Sequence, residues 1–297
     1  MNQKEKCGYV AIIGRPNVGK STLLNCILKK KISITSAKPQ TTRYQILGIN
    51  TVGPVQTVYI DTPGIHQSEQ GAMSRYLNRL ASSVMIDADV IVLMIDSRWH
   101  TEDELVLEKL KQSETKAPVI LVINKIDKMK DKKQLLPLMD ELKRKYDFIQ
   151  MIPIAALRAE NVDALEQEIA KLLPEGPHLF PDDQITDKTE RFRAAEVIRE
   201  KLMKETEQEI PYSTAVEIES FDREEKIIKI GAIIWVERAG QKAIVIGAGG
   251  ALLKKVGTLA RKEMEVLFDQ KVFLRLWVKV KDKWTDDDRA LKSLGYE

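Results

Sequence analysis

Apolar positions along the chain follow two rhythms. Residues 9–13, 90–95 and 119–123 form short unbroken runs (YVAII, VIVLMI, VILVI), the pattern of strands covered on both faces. Residues 46–50 and 55–60 instead alternate on either side of Gly53 and Pro54, which predicts a hairpin. A further strand is expected over 149–154. Between these lie stretches with helical spacing at 21–28, 71–84, 102–112, 131–146 and 161–173. Strand alternating with helix predicts a mostly parallel sheet flanked by helices, an α/β domain over residues 1–174. From Pro174 the chain reads PEGPHLFPDDQIT, without periodicity, so 175–187 reads as a linker.

A second, smaller α+β unit is expected over 188–297. It opens with a long charged helix at 188–208, ended by Glu209-Ile210-Pro211-Tyr212-Ser213. Residues 214–220 alternate and pair plausibly with 227–236 across the turn Asp222-Arg223-Glu224-Glu225. Residues 242–246 read as strand by propensity alone. A helix over 251–264, a strand over 272–280 and a short helix over 286–294 complete the chain.

Length and composition add bounds. A chain of 297 residues suits two domains, and 43% hydrophobic content fills two cores. The net charge of +3 calls for no particular partner, so local imbalance matters more. Residues 240–283 carry ten Lys and Arg against four Asp and Glu, whereas 186–239 carry ten against thirteen. Cys7 and Cys26 make no disulfide framework, and Cys26 is expected to be a buried thiol. His66, His100 and His178 are too scattered for a structural zinc site. The polar start MNQKEKCGY lacks a signal h-region, and no apolar run approaches the roughly 18 residues of a membrane span. The chain reads as cytosolic.

Candidate chemistry begins at Gly14-Arg15-Pro16-Asn17-Val18-Gly19-Lys20-Ser21, followed by Thr22. This is G-x-x-x-x-G-K-[ST] between a predicted strand and a predicted helix. There, successive backbone N–H groups and the helix N-terminus face a phosphate. Gly14 and Gly19 permit the tight path, Lys20 reaches the β/γ oxygens, and the Ser21 hydroxyl can ligate Mg²⁺. Asp61-Thr62-Pro63-Gly64 ends the second hairpin strand. An aspartate there can hold the water shell of Mg²⁺, and the glycine N–H can meet a γ-phosphate. Asn124-Lys125-Ile126-Asp127 ends the strand at 119–123. The Asp127 carboxylate accepts from both N1–H and the N2 amino group of guanine, and adenine offers neither. The Lys125 stem packs over the base, and Asn124 ties its loop to the phosphate loop. The wrong base would leave a buried charge unpaired, so such a site discriminates strongly.

In the second unit, Leu252, Leu253, Val256, Leu259 and Ala260 form a stripe expected to be buried, with Lys254, Lys255, Arg261 and Lys262 off it. On the last strand Val272, Leu274, Leu276, Val278 and Val280 share one side, and Phe273, Arg275, Trp277 and Lys279 the other. One reading is a solvated face with an aromatic covered by the terminal helix. The other is a basic helix after the Gly247-Ala248-Gly249-Gly250 turn, beside an aromatic and cationic strand face that suits single-stranded nucleic acid.

Taken in order, GRPNVGKSTLLN, PQTTR, DTPGIH, NKID, EIPYS, the VIG-x-x-G turn, LWVKVK and RALKSLGY resemble the Era family of bacterial GTPases, over essentially the whole chain. The resemblance implies a P-loop G domain followed by a type II KH domain, and it makes 242–246 a helix rather than a strand. It implies a GTPase that binds GTP, GDP and Mg²⁺. Ser21, Thr42 (with Thr41 as the alternative) and Asp61 would be the Mg²⁺ ligands, Asp61 through water, and Gly64 the γ-phosphate sensor. Ala155, Ala156 and Leu157 would complete the base pocket, with the Ala156 N–H on the guanine carbonyl. Gly247 to Gly250 would clamp RNA, and the charge and aromatic pattern above adds Lys254, Lys255, Arg261, Lys262, Arg275, Trp277 and Lys279 as candidates beside them. The implied partners are the 3′ region of 16S rRNA and the 30S subunit, in a maturation role. A cytoplasmic monomer with loose peripheral association on the inner membrane is implied too. A membrane signalling GTPase with a secondary RNA role is the alternative.

Some positions depart from the common pattern, Ala155 among them, where Ser is common and only the hydroxyl is lost. Ile65 follows D-x-x-G where Ras-like enzymes place a water-orienting Gln, so no catalytic side chain is assigned and slow unaided hydrolysis is expected. Asn17, as in related potassium-activated GTPases, is a candidate K⁺ ligand. Ala248 and Gly249 stand where a basic residue is frequent, which shifts the grip on phosphate towards Lys254 and Lys255.

Overall fold

The structure is a computed structural model that describes residues 4–65, 71–206 and 210–296. His66, Glu209 and the end of the helix expected over 188–208 lie outside the described residues. The chain divides into two compact units, Met1–Glu69 with Leu77–Asp187 and Gln70–Tyr76 with Lys188–Glu297.

The first unit is built on strands β1 (Lys6–Ile13), β2 (Ile46–Val52), β3 (Val55–Asp61), β4 (Val90–Ile95), β5 (Val119–Ile123) and β6 (Gln150–Pro153), in the order β2-β3-β1-β4-β5-β6. Only the β2–β3 hairpin is antiparallel. Every residue of β4 and β5 is buried, which is why these strands are apolar without alternation. Helices α1 (Lys20–Ile27), α2 (Ala72–Asp87), α3 (Thr101–Gln112), α4 (Leu135–Lys143) and α5 (Val162–Leu172) connect them. Leu93, Ile95, Leu121 and Ile123 share a core with Val106 and Leu110 of α3.

The helix expected over 131–146 is shorter. Residues Lys132–Gln134 form a 3₁₀ turn, and α4 begins only at Leu135. Pro137 then falls in the first turn, where its missing N–H leaves no bond unmade. Cys26 is half-buried, and Cys7 is the buried thiol.

The segment read as a linker is docked along the sheet. The Leu179 and Phe180 amides donate to the buried Gln56 Oε1 at 2.8 and 3.0 Å. The Ile49 amide of β2 donates to the Ile185 carbonyl at 3.0 Å. An edge strand presents unpaired backbone groups, and this aperiodic segment satisfies part of that row.

The second unit carries β7 (Ala215–Arg223), β8 (Ile227–Val236) and β9 (Lys271–Val280), ordered β7-β8-β9, with β8–β9 parallel. Its helices are α6 (Glu190–Glu205), α7 (Ala239–Ile246), α8 (Ala251–Phe268) and α9 (Asp288–Ser293). Residues 242–246 are helical, as the family resemblance implied and propensity did not. A local cap explains this: the Glu237 and Arg238 amides both donate to Gln241 Oε1, at 2.8 and 3.2 Å. Helix α8 runs on to Phe268 and buries Val256, Ala260, Met264 and Phe268. Leu252, Leu253 and Leu259 are only half-buried, so the buried stripe follows the i+4 row rather than the expected one.

The terminal segment covers a tryptophan other than the one expected. Trp277 remains 42% exposed, whereas Trp284 is fully buried. The Trp284 Nε1–H donates to the Ser213 carbonyl at 3.1 Å, and the ring stacks on Tyr296 with centroids 5.8 Å apart. The described part of the EIPYS segment therefore seats Trp284.

Candidate nucleotide site and nucleic-acid face

The phosphate loop runs from the end of β1 into α1. Gly19 has φ 111°, and a Cβ there would lie 2.3 Å from Asn124 Nδ2, so no other residue fits. The Lys20 ammonium donates to the Gly14 and Arg15 carbonyls, both at 3.0 Å, and is buried. Burial, partly opposed by the Asp61 charge, pushes its pKa down to about 8. Asp61 ends β3 among hydroxyls. Its Oδ2 accepts from Ser21 Oγ at 2.7 Å and from Ser33 Oγ at 2.6 Å. Ser21 Oγ also lies 2.9 Å from Thr42 Oγ1, whereas Thr41 Oγ1 donates to the Lys38 carbonyl at 2.6 Å. Thr42 is thus the threonine that reaches the cluster. Asp61 Oδ1 is buried without a hydrogen-bond partner, and burial pushes the carboxyl pKa up despite Ser21 and Ser33. A hard, oxygen-only donor set with an orphaned carboxylate oxygen fits Mg²⁺. The adjoining cavity, about 140 Å³, is lined by Asn17, Lys20, Ser21, Thr22, Thr42 and Gly64 among others.

The base loop is assembled from β5 and the turn after β6. Asn124 Nδ2 donates to the Val18 carbonyl at 2.8 Å, and Lys125 Nζ to the Asn17 carbonyl at 2.6 Å, so N-K-x-D is bolted to the phosphate loop. Asp127 stands beside Arg158, with 3.5 Å between carboxylate and guanidinium. Other nominated residues take structural roles. The Ala156 amide, expected on guanine, donates to Asn124 Oδ1 at 3.0 Å and orients that side chain. Ile65 is fully buried in the core, and its amide donates to the Gly14 carbonyl of the phosphate loop at 3.3 Å. Thr62 Oγ1 donates to the Ile12 carbonyl at 2.9 Å. Arg15 turns away to Asp96 at 2.8 Å and Asp103 at 3.2 Å. Asn17 Nδ2 donates to the Ala37 carbonyl at 2.8 Å, and its Oδ1 is the atom suited to a cation. Ala155 and Pro63 are buried, while Leu157 is 80% exposed.

Sequence reasoning missed Ser33 and its support. Asn25 on α1 accepts from the Ile32 and Ser33 amides at 2.9 and 3.0 Å and donates to the Ser33 carbonyl at 2.7 Å. That clamp aims Ser33 Oγ at Asp61. No motif marks either residue, because their partners are backbone groups of a loop without periodicity.

In the second unit the Gly247–Gly250 turn joins α7 to α8. A groove of about 390 Å³ lies beside it, lined by Gly250, Leu253, Lys254, Arg261, Leu274 and Leu276 among others. Lys255 pairs with Glu205 at 2.5 Å, and neither it nor Lys262 lines the groove. Arg275, Trp277 and Lys279 point to the sheet face opposite Leu274 and Leu276, since side chains alternate along β9. The nominated RNA residues therefore fall on two surfaces.

A lysine-bearing phosphate loop, a hydroxyl–carboxylate cluster and N-K-x-D at a parallel strand end define a P-loop GTP-binding domain, and a helix–turn–helix on a three-stranded sheet defines a KH domain. Comparison with known proteins agrees: the family of 50S ribosome-binding GTPases matches residues 9–125, and the KH domain family residues 209–285. GTPase Era of Marinobacter nauticus is 54% identical over 99% of this chain and 96% of its own. The crystal structure of Era with MgGDPNP and nucleotides 1506–1542 of 16S ribosomal RNA superposes with a TM-score of 0.94 at 41% identity, covering 98% and 99% of the two chains. Aquifex aeolicus Era bound to GDP and AlF4⁻ gives 0.94 at 42%, with the same coverage. The chain belongs to the Era family of GTPases.

Proposed function

We propose that this GTPase uses Mg²⁺ and GTP to switch its affinity for the 3′ region of 16S rRNA during maturation of the 30S subunit, acting in the cytoplasm. The observation that carries the reading is the Ser21–Thr42 contact at 2.9 Å. It brings the loop around Thr42 to the phosphate loop at the hydroxyl cluster, so the order of that loop is tied to what the cluster holds. Ser21, Thr42 and Asp61 would hold Mg²⁺, which would supply positive charge to the β- and γ-phosphate oxygens. Lys20 neutralises the same oxygens, and Asp127 reads guanine. Hydrolysis is slow, because Ile65 lies in the core and offers no group to orient water.

The test is binding of RNA 1506–1542 at fixed salt with a non-hydrolysable GTP analogue, with GDP and without nucleotide. Tighter binding with the analogue is expected, and equal binding in all three states overturns the switch. Repeating GTP turnover in KCl and NaCl tests the K⁺ role of Asn17. Equal rates in the two salts would remove it.

A further inference from the structure

The sheet of the second unit has one face packed and one face open. Val272, Leu274, Leu276 and Val278 turn into the core formed with α6 and α8. The intervening residues Lys271, Phe273, Arg275, Trp277 and Lys279 are all exposed. Cation and aromatic alternate along this row on the edge strand β9. Phe273 is 45% and Trp277 42% exposed, two large rings on one open row.

The rings are placed. The Arg275 guanidinium lies 5.1 Å from the Phe273 centroid. Gly231, opposite Arg275 on β8, makes room for the other ring: a Cβ there would sit 3.2 Å from Trp277 Cζ3. Charge on the open face is mixed, with cations along β9 and acids on β7. The acids Glu217 and Glu219 belong to β7, at the far edge. Along β9, Lys279 stands 4.0 Å from Glu219 and Lys271 4.0 Å from Glu265. Arg275 makes no ion pair among the described residues.

We propose that the open face of β9 is a second single-stranded RNA site, apart from the groove beside Gly247–Gly250. Bases stack on Phe273 and Trp277, while Arg275 and Lys279 neutralise the flanking phosphates. The site rests on the RNA-binding reading above and extends it. Phe273 and Trp277 are four residues apart, about 13 Å along a strand. Consecutive stacked bases are about 3.4 Å apart, so the spacing selects splayed bases of a single strand over a duplex. A flat anionic membrane would meet Glu217 and Glu219 together, whereas a flexible single strand along β9 meets only Glu219, beside Lys279.

The experiment compares two RNAs on the full chain at one salt concentration, nucleotides 1506–1542 and a 3′ fragment long enough only to fill the groove. The double variant Phe273→Ala/Trp277→Ala is expected to lose about tenfold or more on the longer RNA, as alanine replacement of stacking platforms does, and nothing on the fragment. Arg275→Glu, a change at an exposed position that keeps both aromatic side chains, should show the same selectivity. Lys254→Ala should weaken both RNAs. Unchanged binding of the longer RNA by both β9 variants overturns the proposal. So does loss of pelleting with phosphatidylglycerol–phosphatidylethanolamine vesicles alone, which would make the face a lipid contact. If the wild type binds neither RNA, the RNA-binding reading itself is what fails.

Discussion

The two binding regions were read from the same chain by different signals, and they behave differently. In the nucleotide site, the Lys20-Ser21 pair, Thr42 and Asp61 come from three separate segments yet meet within hydrogen-bond distance of one another or of the same loop. In the nucleic-acid region, Lys254 and Trp277 share a unit yet lie on opposite faces of its sheet. A phosphate-loop motif fixes backbone path and side-chain direction together. A row of cations and aromatics on a strand fixes which residues share a side, but not which side the helices cover.

The largest expected effect tests the nucleotide side of that contrast. Asp127→Asn removes the carboxylate proposed to accept two bonds from guanine, and GTP affinity should then fall on the order of 10³-fold. Xanthosine triphosphate, with a carbonyl where guanine has its amino group, should recover most of it. Loss without recovery would mean that Asp127 holds the loop rather than the base. The Asn25–Ser33 clamp gives a smaller effect. Ser33→Ala should raise the Mg²⁺ concentration needed to slow GDP release about tenfold, the usual cost of losing a group that orients a metal ligand. Ser33→Thr keeps the hydroxyl and should behave as wild type, and the alanine variant should match wild type at saturating Mg²⁺.

Much of the first unit was legible because its strands are short, apolar and buried on both faces, and because the hairpin turns at Gly53 and Pro54. The helix over 239–246 was hidden by β-branched residues; its cap at Gln241 outweighs their propensity. The docking of residues 175–187 was illegible because their partners are backbone groups of β2 and one buried side chain, Gln56. At the site, Lys20, Ser21, Thr42, Asp61 and Asn124 gather where their motifs place them, but the surroundings of Ala156 and Ile65 were not legible. Nothing local reveals that the Ala156 N–H donates to Asn124, or that the Ile65 side chain is buried.

Titration of Lys20 gives an effect of up to tenfold per pH unit. Burial holds its pKa in the nucleotide-free protein at about 8, and phosphate oxygens favour the charged form. Below that value the ammonium is already present, so affinity for GDP should be flat. Above it, binding must recharge the amine, and affinity should fall with rising pH until the pKa of the bound form is reached. Measured without Mg²⁺, a loss of about tenfold from pH 8 to pH 9 is the ceiling set by one proton. A flat profile across that range would place the lysine's proton outside the binding equilibrium.

The smallest effect separates two neighbouring lysines and bears most directly on the contrast. Lys254 lines the groove beside the Gly247–Gly250 turn, and Lys255 is engaged with Glu205. Composition cannot tell them apart, since they are adjacent and chemically identical. If Lys254 contacts a phosphate, Lys254→Ala should weaken RNA binding a few-fold and lower the slope of log K against log salt by about 1. Lys255→Ala should leave the slope as it is and cost little, because exposed ion pairs of this kind are worth about 0–1 kcal/mol. Equal slopes for the two variants would mean that the RNA responds to the summed charge of the helix. The groove would then be a shape without a contact, and the sequence-level view of a basic helix would have been the better description.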